Sequence, residues 1–435
     1  MVWEGHDEGN AKMKLLLWVV GMAWVVQAWA ASHSSAVDMT DRMETLGSPL
    51  GTRYPDSFRK GSGAYARNIW TMCAFDGRIY IGCGNSSNGG PATGCGPVPI
   101  FAYEPKQRKF VEEGRLPDEQ IDVFRVFSDG ALYIPGHDPT ENWEWGNFYR
   151  RRPGGKAAWE KVRTLPLGLH CYDMVEFDGR LIACGYGIYE SRDRGATFNW
   201  VQDVRYYSFL RFPNMLYVVA TVSDAKLAEK RQVRTYQSFQ WDIPGETVVA
   251  RCRAGGRFER VRTARPSDVF PATPEVADEC LKPGRVSALG GRLVYLGGIA
   301  HNDHQMAPIG AYVAEDGPEM FRARRIVLPQ EATPWFTLVR DGKVYLLYAI
   351  ADAGSKTFRN HVAVSDDGEH FQDRFWFAAP TFARAFAYLD GYFYFGLGTE
   401  IKSHGEYTGK NAWKVGFSKK ELSSAAGTIL RCREP

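Results

Sequence analysis

The sequence has no Cys-x-x-Cys pair, no clustered basic stretch, no apolar run of spanning length and no long helical periodicity. Each absence removes a class of function. Without Cys-x-x-Cys, the common thiolate clamps for structural zinc are missing. Lys and Arg total 53 against 50 Asp and Glu, a net charge of +3, so the basic footprint of a nucleic-acid partner is absent. The densest basic run, Arg150-Arg151-Arg152, suits a solvated strand or turn. The longest apolar run, LLLWVVGMAWVV, is about a dozen residues, well short of the roughly 20 a membrane helix needs. The Gly-rich stretch GNSSNGGPATGCG lacks the Lys-Ser/Thr ending and following helix of a phosphate cradle, which argues against a nucleotide site.

What is present begins with a targeting pattern. Lys12-Met13-Lys14, the apolar run and Ala28-Trp29-Ala30 follow the order of a secretory signal peptide. Residues 1–30 are expected to be removed, leaving a secreted or periplasmic chain that starts near Ala31. The acidic residues before Met13 suit an n-region poorly, so Met13 is a candidate true start. All eight cysteines lie beyond the cleavage site, and an exported chain permits disulfides. Cys83 with Cys95 and Cys252 with Cys280 are the expected pairs.

The remaining sequence repeats itself, which bears directly on fold. FDGRIYIGCG (75–84), FSDGALYIPG (127–136), FDGRLIACGY (177–186), RFPNMLYVVA (211–220), ALGGRLVYLGG (288–298), VRDGKVYLLYA (339–349) and YLDGYFYFGLG (388–398) are seven versions of one hairpin. Each places a two-residue turn, usually Asp-Gly, before an alternating strand. Asp-Gly tolerates the positive φ that tight hairpins need. A second hairpin follows most copies, as in IYESRDRGATFNWV and HVAVSDDGEHFQDRF. Four strands per unit at spacings near 50 residues predict an all-β, seven-bladed β-propeller of four-stranded antiparallel blades. One domain is expected over 53–435, after a linker at 31–52, with a long polar insertion at about 222–247. The last blade has only three strands near the C-terminus. An N-terminal strand, expected within 53–66, must complete it and remove the exposed edge.

Ser191-Arg192-Asp193-Arg194-Gly195-Ala196-Thr197-Phe198 is an Asp box, and Ser365-Asp366-Asp367-Gly368-Glu369-His370-Phe371 is a shorter variant. On these motifs the chain resembles the Asp-box (BNR-type) propeller superfamily, which includes sialidases and is similar to propeller-fold polysaccharide lyases. The resemblance implies that each box sits on the turn between the two outer strands. There Ser and Asp would bond turn amides and Gly would supply positive φ. The box is therefore expected to be structural and to lie on the face away from chemistry.

The opposite face collects the unusual loops, where function concentrates on a rigid scaffold. Seven positions past each turn, the repeats read Gly84, His137, Tyr186, Thr221, Gly298, Ala349 and Gly398. His137 breaks a mostly small-residue row and opens a loop with Trp143, Trp145, Asn147 and Tyr149. His170 begins the next blade. Seven positions before each turn stand Trp70, Val123, Tyr172, Tyr207, Gly284, Trp335 and Arg384, a row rich in aromatics that could stack on sugar rings. Arg359 and His361 project to the same expected face. His301, Asp303 and His304 could ligate a structural or catalytic metal.

These residues fit a polysaccharide lyase that cleaves an acidic, uronate-containing glycan by β-elimination. The chemistry needs a base for the C5 proton, a proton donor for the leaving oxygen, and a cation on the carboxylate. His137 and His170 are the expected base and acid, with Tyr149 and Tyr207 as substitutes and Arg384 or Arg359 on the carboxylate. Trp143, Trp145, Asn147, Tyr172, Trp335 and His361 would bind sugar. This route needs no cofactor, and a monomer acting on an anionic polysaccharide is expected. The alternative is a non-catalytic propeller that binds glycan or protein through the same face. A sialidase is the weaker reading, because Phe209-Leu210-Arg211-Phe212-Pro213 only loosely echoes that family's early motif and Arg211 falls beside a turn on the wrong face.

Overall fold

In a computed structural model, seven four-stranded antiparallel units form the blades of a propeller. The structure describes residues 36–55, 62–85, 96–137, 140–141, 144–154, 158–166, 170–202, 206–220, 235–236, 239–240, 249–261, 263–273, 281–300, 306–399 and 424–435. The inner strands are Thr71–Phe75, Arg125–Val126, Cys171–Phe177, Tyr206–Arg211, Leu281–Leu289, Thr333–Arg340 and Ala383–Leu389. Inner strands of successive blades pack side by side from blade 3 onward, and that of blade 7 meets that of blade 1, closing the ring. The turns after them carry the repeat's signature. Asp76, Asp178, Asp341 and Asp390 sit at φ of 50, 53, 49 and 50°, each followed by a glycine that also has positive φ. That is the two-residue geometry whose twist matches the flanking strands.

Apolar alternation along the strands fills the seams between blades. Between blades 6 and 7, Phe375, Phe377, Phe386, Phe393 and Phe395 form one buried cluster, with Phe386 and Phe395 stacked at 6.0 Å. Such ring contacts add directionality to ordinary apolar burial.

Ring closure uses the N-terminus, but not the segment expected from the sequence. The closing strand is Glu44–Gly47, antiparallel to Ile429–Arg433, and it lies within the expected linker rather than in 53–66. Glu44 accepts from Arg431 Nε at 2.6 Å and also pairs with Arg108. Upstream, Val37–Asp38 runs parallel to the outer strand of blade 6, Gln372–Ala379. The N-terminal segment thus fastens two blades. In the 53–66 region, Ser62–Ala66 is a short helix whose Ala64, Tyr65 and Ala66 are buried. Within the expected insertion at about 222–247, Thr235–Tyr236 pairs with Phe239–Gln240; the rest lies outside the described residues.

Both boxes take the turn between third and fourth strands, in blades 3 and 6. Ser191 Oγ accepts from Gly195 N at 2.7 Å, and Asp193 accepts from Thr197 N at 2.9 Å and Thr197 Oγ1 at 2.6 Å. Gly195 has φ of 89°. Phe198 packs beneath, edge-on to Phe148 at 6.0 Å. In the second box Ser365 accepts from Gly368 N at 2.9 Å and Asp367 from His370 N at 2.8 Å. Every polar atom named here is used to hold its own turn.

The expected disulfide at Cys252 is not formed. Cys252 is a thiol whose sulfur accepts from Arg180 at 3.3 Å; Cys280 lies outside the described residues. Cys95 does too, while Cys83 is buried with its thiol 3.8 Å from the Pro99 carbonyl. Cys171, Cys184 and Cys432 are buried within strands, where each acts as a small apolar side chain. Among the described residues, no helix is long and apolar enough to cross a membrane.

Candidate functional site at the axial mouth

The inner strands enter from the face opposite the Asp-Gly turns, and their first residues ring an axial mouth. Around blades 1 to 3 the connecting segments bond to one another as isolated antiparallel bridges, Gly84 to Gln120, Gln120 to His137 and His137 to His170. This brings the two histidines together. Gly185 is required by the same crowding, since a Cβ there would stand 1.6 Å from the His170 carbonyl oxygen.

His137 Nδ1 lies 3.0 Å from Asp122 Oδ2, and Gln120 Nε2 donates to Asp122 Oδ1. When Nδ1 carries the ring proton, Nε2 is the position left to take one. Burial opposes ionisation of Asp122, but His137, Arg285 and Gln120 outweigh it and hold the carboxyl well below the usual range. Asp122 therefore stays an anion beside the ring.

Four further rings continue from His137. Its own ring meets Tyr172 edge-on at 5.1 Å and His170 edge-on at 5.7 Å. His170 stacks on Tyr172 at 5.1 Å, and Tyr172 stacks on Tyr207 at 4.6 Å. Tyr186 closes behind His170 at 4.9 Å. Lys282 Nζ stands 4.7 Å from the Tyr207 ring centroid, a cation over a π face. Exposure divides these roles: His170 is 0% exposed, His137 4% and Tyr172 7%, whereas Tyr207 is only partly buried. Tyr207 is thus the ring of this stack most open at the mouth, and His170 acts as a support behind Tyr172.

Charge is concentrated just inside the mouth. Arg285 reaches from blade 5 to donate from Nη1 to the Asp122 carbonyl of blade 2 at 2.7 Å. Deeper, Arg125 makes a two-pronged pair with Asp173, both contacts 2.9 Å, and Ser208 Oγ lies 3.5 Å from the same carboxylate. Burial lowers the proton affinity of Arg285, while the same effect on Arg125 is overcome by Asp173.

The other expected residues are placed apart from this group. Arg384 belongs to the mouth but stands among blades 6, 7 and 1, its guanidinium carbon 4.0 Å from the Trp70 ring and 5.1 Å from the Trp335 ring. Trp335 stacks on Phe382 at 3.9 Å. Tyr149 is buried in the third strand of blade 2 and donates to Asp118; burial and then that carboxylate push its hydroxyl far up. Asn147 is buried beside it, 3.4 Å from Asp118. Trp145 is exposed at the start of the same strand. In blade 6, His361 Nδ1 is 3.0 Å from Asp373 and its ring stacks on Tyr348, while Arg359 pairs with Asp352 at 2.6 Å. These two face their own sheet's partners. Trp143, His301, Asp303 and His304 lie outside the described residues. Among the described residues, no group of three or more His, Cys, Asp or Glu could hold a metal.

Asp122, Lys282 and Arg285 were not singled out by the sequence pattern. Asp122 directly precedes Val123 of the mouth row, and Lys282 stands two positions before Gly284. A search extended two positions upstream of that row would have reached both.

No protein-family model matches the sequence, and no curated protein matches it. Solved structures similar to this chain include virginiamycin B lyase from Staphylococcus aureus, at 9% identity and TM-score 0.45, covering 85% of this chain and 95% of that one. An ulvan lyase of polysaccharide lyase family PL25 has 13% identity and TM-score 0.43, covering 76% and 89%. YCF48 bound to a D1 peptide has 12% identity and TM-score 0.46, covering 92% and 100%. With every one of these scores below 0.5, nothing about chemistry is carried over from them.

Proposed function

We propose that the chain is an exported polysaccharide lyase that binds an acidic glycan across the axial mouth and cleaves it by β-elimination. The observation that carries this reading is the Asp122–His137 pair at 3.0 Å, set beside the Tyr172–Tyr207 stack with Lys282 over it. Stacked tyrosines suit a sugar ring, and a lysine at their edge suits a uronate carboxylate.

In this mechanism Lys282 lies against the carboxylate and stabilises the charge that develops as C5 loses its proton. His137 Nε2 takes that proton while Asp122 steadies the imidazolium. Tyr207 donates its hydroxyl proton to the glycosidic oxygen at C4, the C4–O bond breaks, and a C4–C5 double bond forms. The products are a new chain end and an unsaturated uronate. His170 holds Tyr172 in place as a positioning residue.

The low exposure of His137 and His170 favours a second reading, a propeller that binds the same glycan without cutting it. One experiment separates the two. Purified protein is incubated with a panel of uronate-containing polysaccharides, and the ultraviolet absorbance of unsaturated ends is followed. Absorbance that grows with the wild type and is lost in His137→Ala supports the lyase. Binding without absorbance on any member supports the binding module, and full activity in His137→Ala sinks the assignment of the base.

A further inference from the structure

Arg285 is placed in a way that ordinary packing does not require. It has φ of 52°, a left-handed conformation that costs a non-glycine residue and persists only where its surroundings enforce it. The register between Leu281–Leu289 and Arg292–Ala300 shifts between Gly284 and Ser287, so Arg285 sits on an irregularity of the inner strand. Bulges of this kind re-aim a side chain. Two neighbours fix the distortion: Thr337 Oγ1 donates to the Arg285 carbonyl at 2.6 Å, and Ser287 Oγ is 2.8 Å from Thr337 Oγ1. Released from the sheet's alternation, the side chain reaches two other blades. It lies 5.3 Å from the Phe336 ring of blade 6 and bonds the Asp122 carbonyl of blade 2. One side chain thereby ties blade 5 to the segment that presents the carboxylate partner of His137.

We infer that Arg285 is a positioning residue that pins the Asp122 segment across the axis and keeps the His137 imidazole neutral and ready to accept a proton. This rests on the lyase reading for its use, but not for its measurement. Among the described residues, the groups facing His137 include Asp122, His170 and Tyr172, with Gln120 and Arg285 acting through Asp122 and the Arg125–Asp173 pair beyond. Asp122 alone favours the imidazolium. A fixed cation bonded to the Asp122 backbone carbonyl opposes it, which a base poised near neutral pH needs.

The test is the titration of the His137 ring in the full chain, followed by NMR on histidine-labelled protein and identified by the signal lost in His137→Gln. Arg285→Gln removes the charge and keeps a donor. It is expected to raise the midpoint by roughly half a pH unit or more, as loss of a nearby cation should. Arg285→Lys is expected to bring it back toward wild type, and Arg285→Met serves as a second neutral variant should the glutamine protein fail to fold. If the lyase is active, the acid limb of kcat/KM must move up with the midpoint. An unchanged or lowered midpoint in a folded neutral variant overturns the inference, whatever the activity. Absence of lyase activity with the midpoint raised leaves the inference standing and removes only the proposed reaction.

Discussion

His137 Nδ1 and Asp122 Oδ2 stand 3.0 Å apart at the mouth of the propeller, joining the end of one blade-2 strand to the segment that leads into another. His137 is held by backbone bridges to Gln120 and to His170 of the next blade, and Asp122 by the Arg285 bond to its carbonyl. Asp122→Asn keeps the shape but drops the anion. It is expected to lower kcat/KM by about a hundredfold or more, with a smaller change in KM, because proton abstraction loses its stabilising partner. Initial rates of ultraviolet absorbance on the best substrate of the panel check this; rates within threefold of wild type would remove Asp122 from the mechanism.

Tyr207 offers a cleaner separation of chemistry from binding. Tyr207→Phe keeps both the stack on Tyr172 and the ring beneath Lys282, and deletes only the hydroxyl. A fall in kcat of about a hundredfold with KM little changed is expected if that hydroxyl protonates the leaving oxygen. Tyr172→Ala should instead raise KM, since it removes the platform. Steady-state kinetics on the two variants decide whether these roles are distinct.

The Asp box yields a stability prediction with no activity component. Hydrogen bonds from Thr197 and Ser191 lower the Asp193 carboxyl from its usual value to about 2. A group depressed on folding contributes stability that is complete above its unfolded value, near 4, and is lost as pH falls toward its folded value. Asp193→Asn should therefore melt lower than wild type at neutral pH. The gap should narrow as pH falls from about 4 to about 2, and specific activity should be unchanged. A gap that persists at the acid end would mean the carboxylate is not what holds the turn.

Closure gives a prediction by truncation. A chain starting at residue 36 keeps both Val37–Asp38 and Glu44–Gly47 and should melt as the wild type does. One starting at residue 48 leaves Ile429–Arg433 as an unpaired edge, and it should melt at lower temperature and aggregate. Thermal scans with light scattering compare the two.

How much of this was legible depends on what each residue answers to. The tight turns respond to local backbone rules, so Asp76, Asp178, Asp341 and Asp390 announced four of the seven hairpins and set the pattern by which the other three, and the fold, could be read. His137 was visible because it interrupts a row that crowding otherwise keeps small. Glu44–Gly47 was not, because four residues carry no readable alternation and their partner strand is near the other end of the chain. Arg285 was hidden for a different reason: a bulge breaks the period of two on which strand reading depends. Asp122 is defined as part of a site only by the ring it meets in space.

Glu44 bonds Arg431 across 387 positions of sequence, and this fixes an order of events. The strand Glu44–Gly47 cannot find its place until Ile429–Arg433 has been made. Until then the seventh blade is open and the mouth has no fixed circumference, so blades 2 and 5 are not yet held at the separation that Arg285 spans. Contacts of such length make late steps slow. The fixed circumference of the mouth is thus a property of the closed ring.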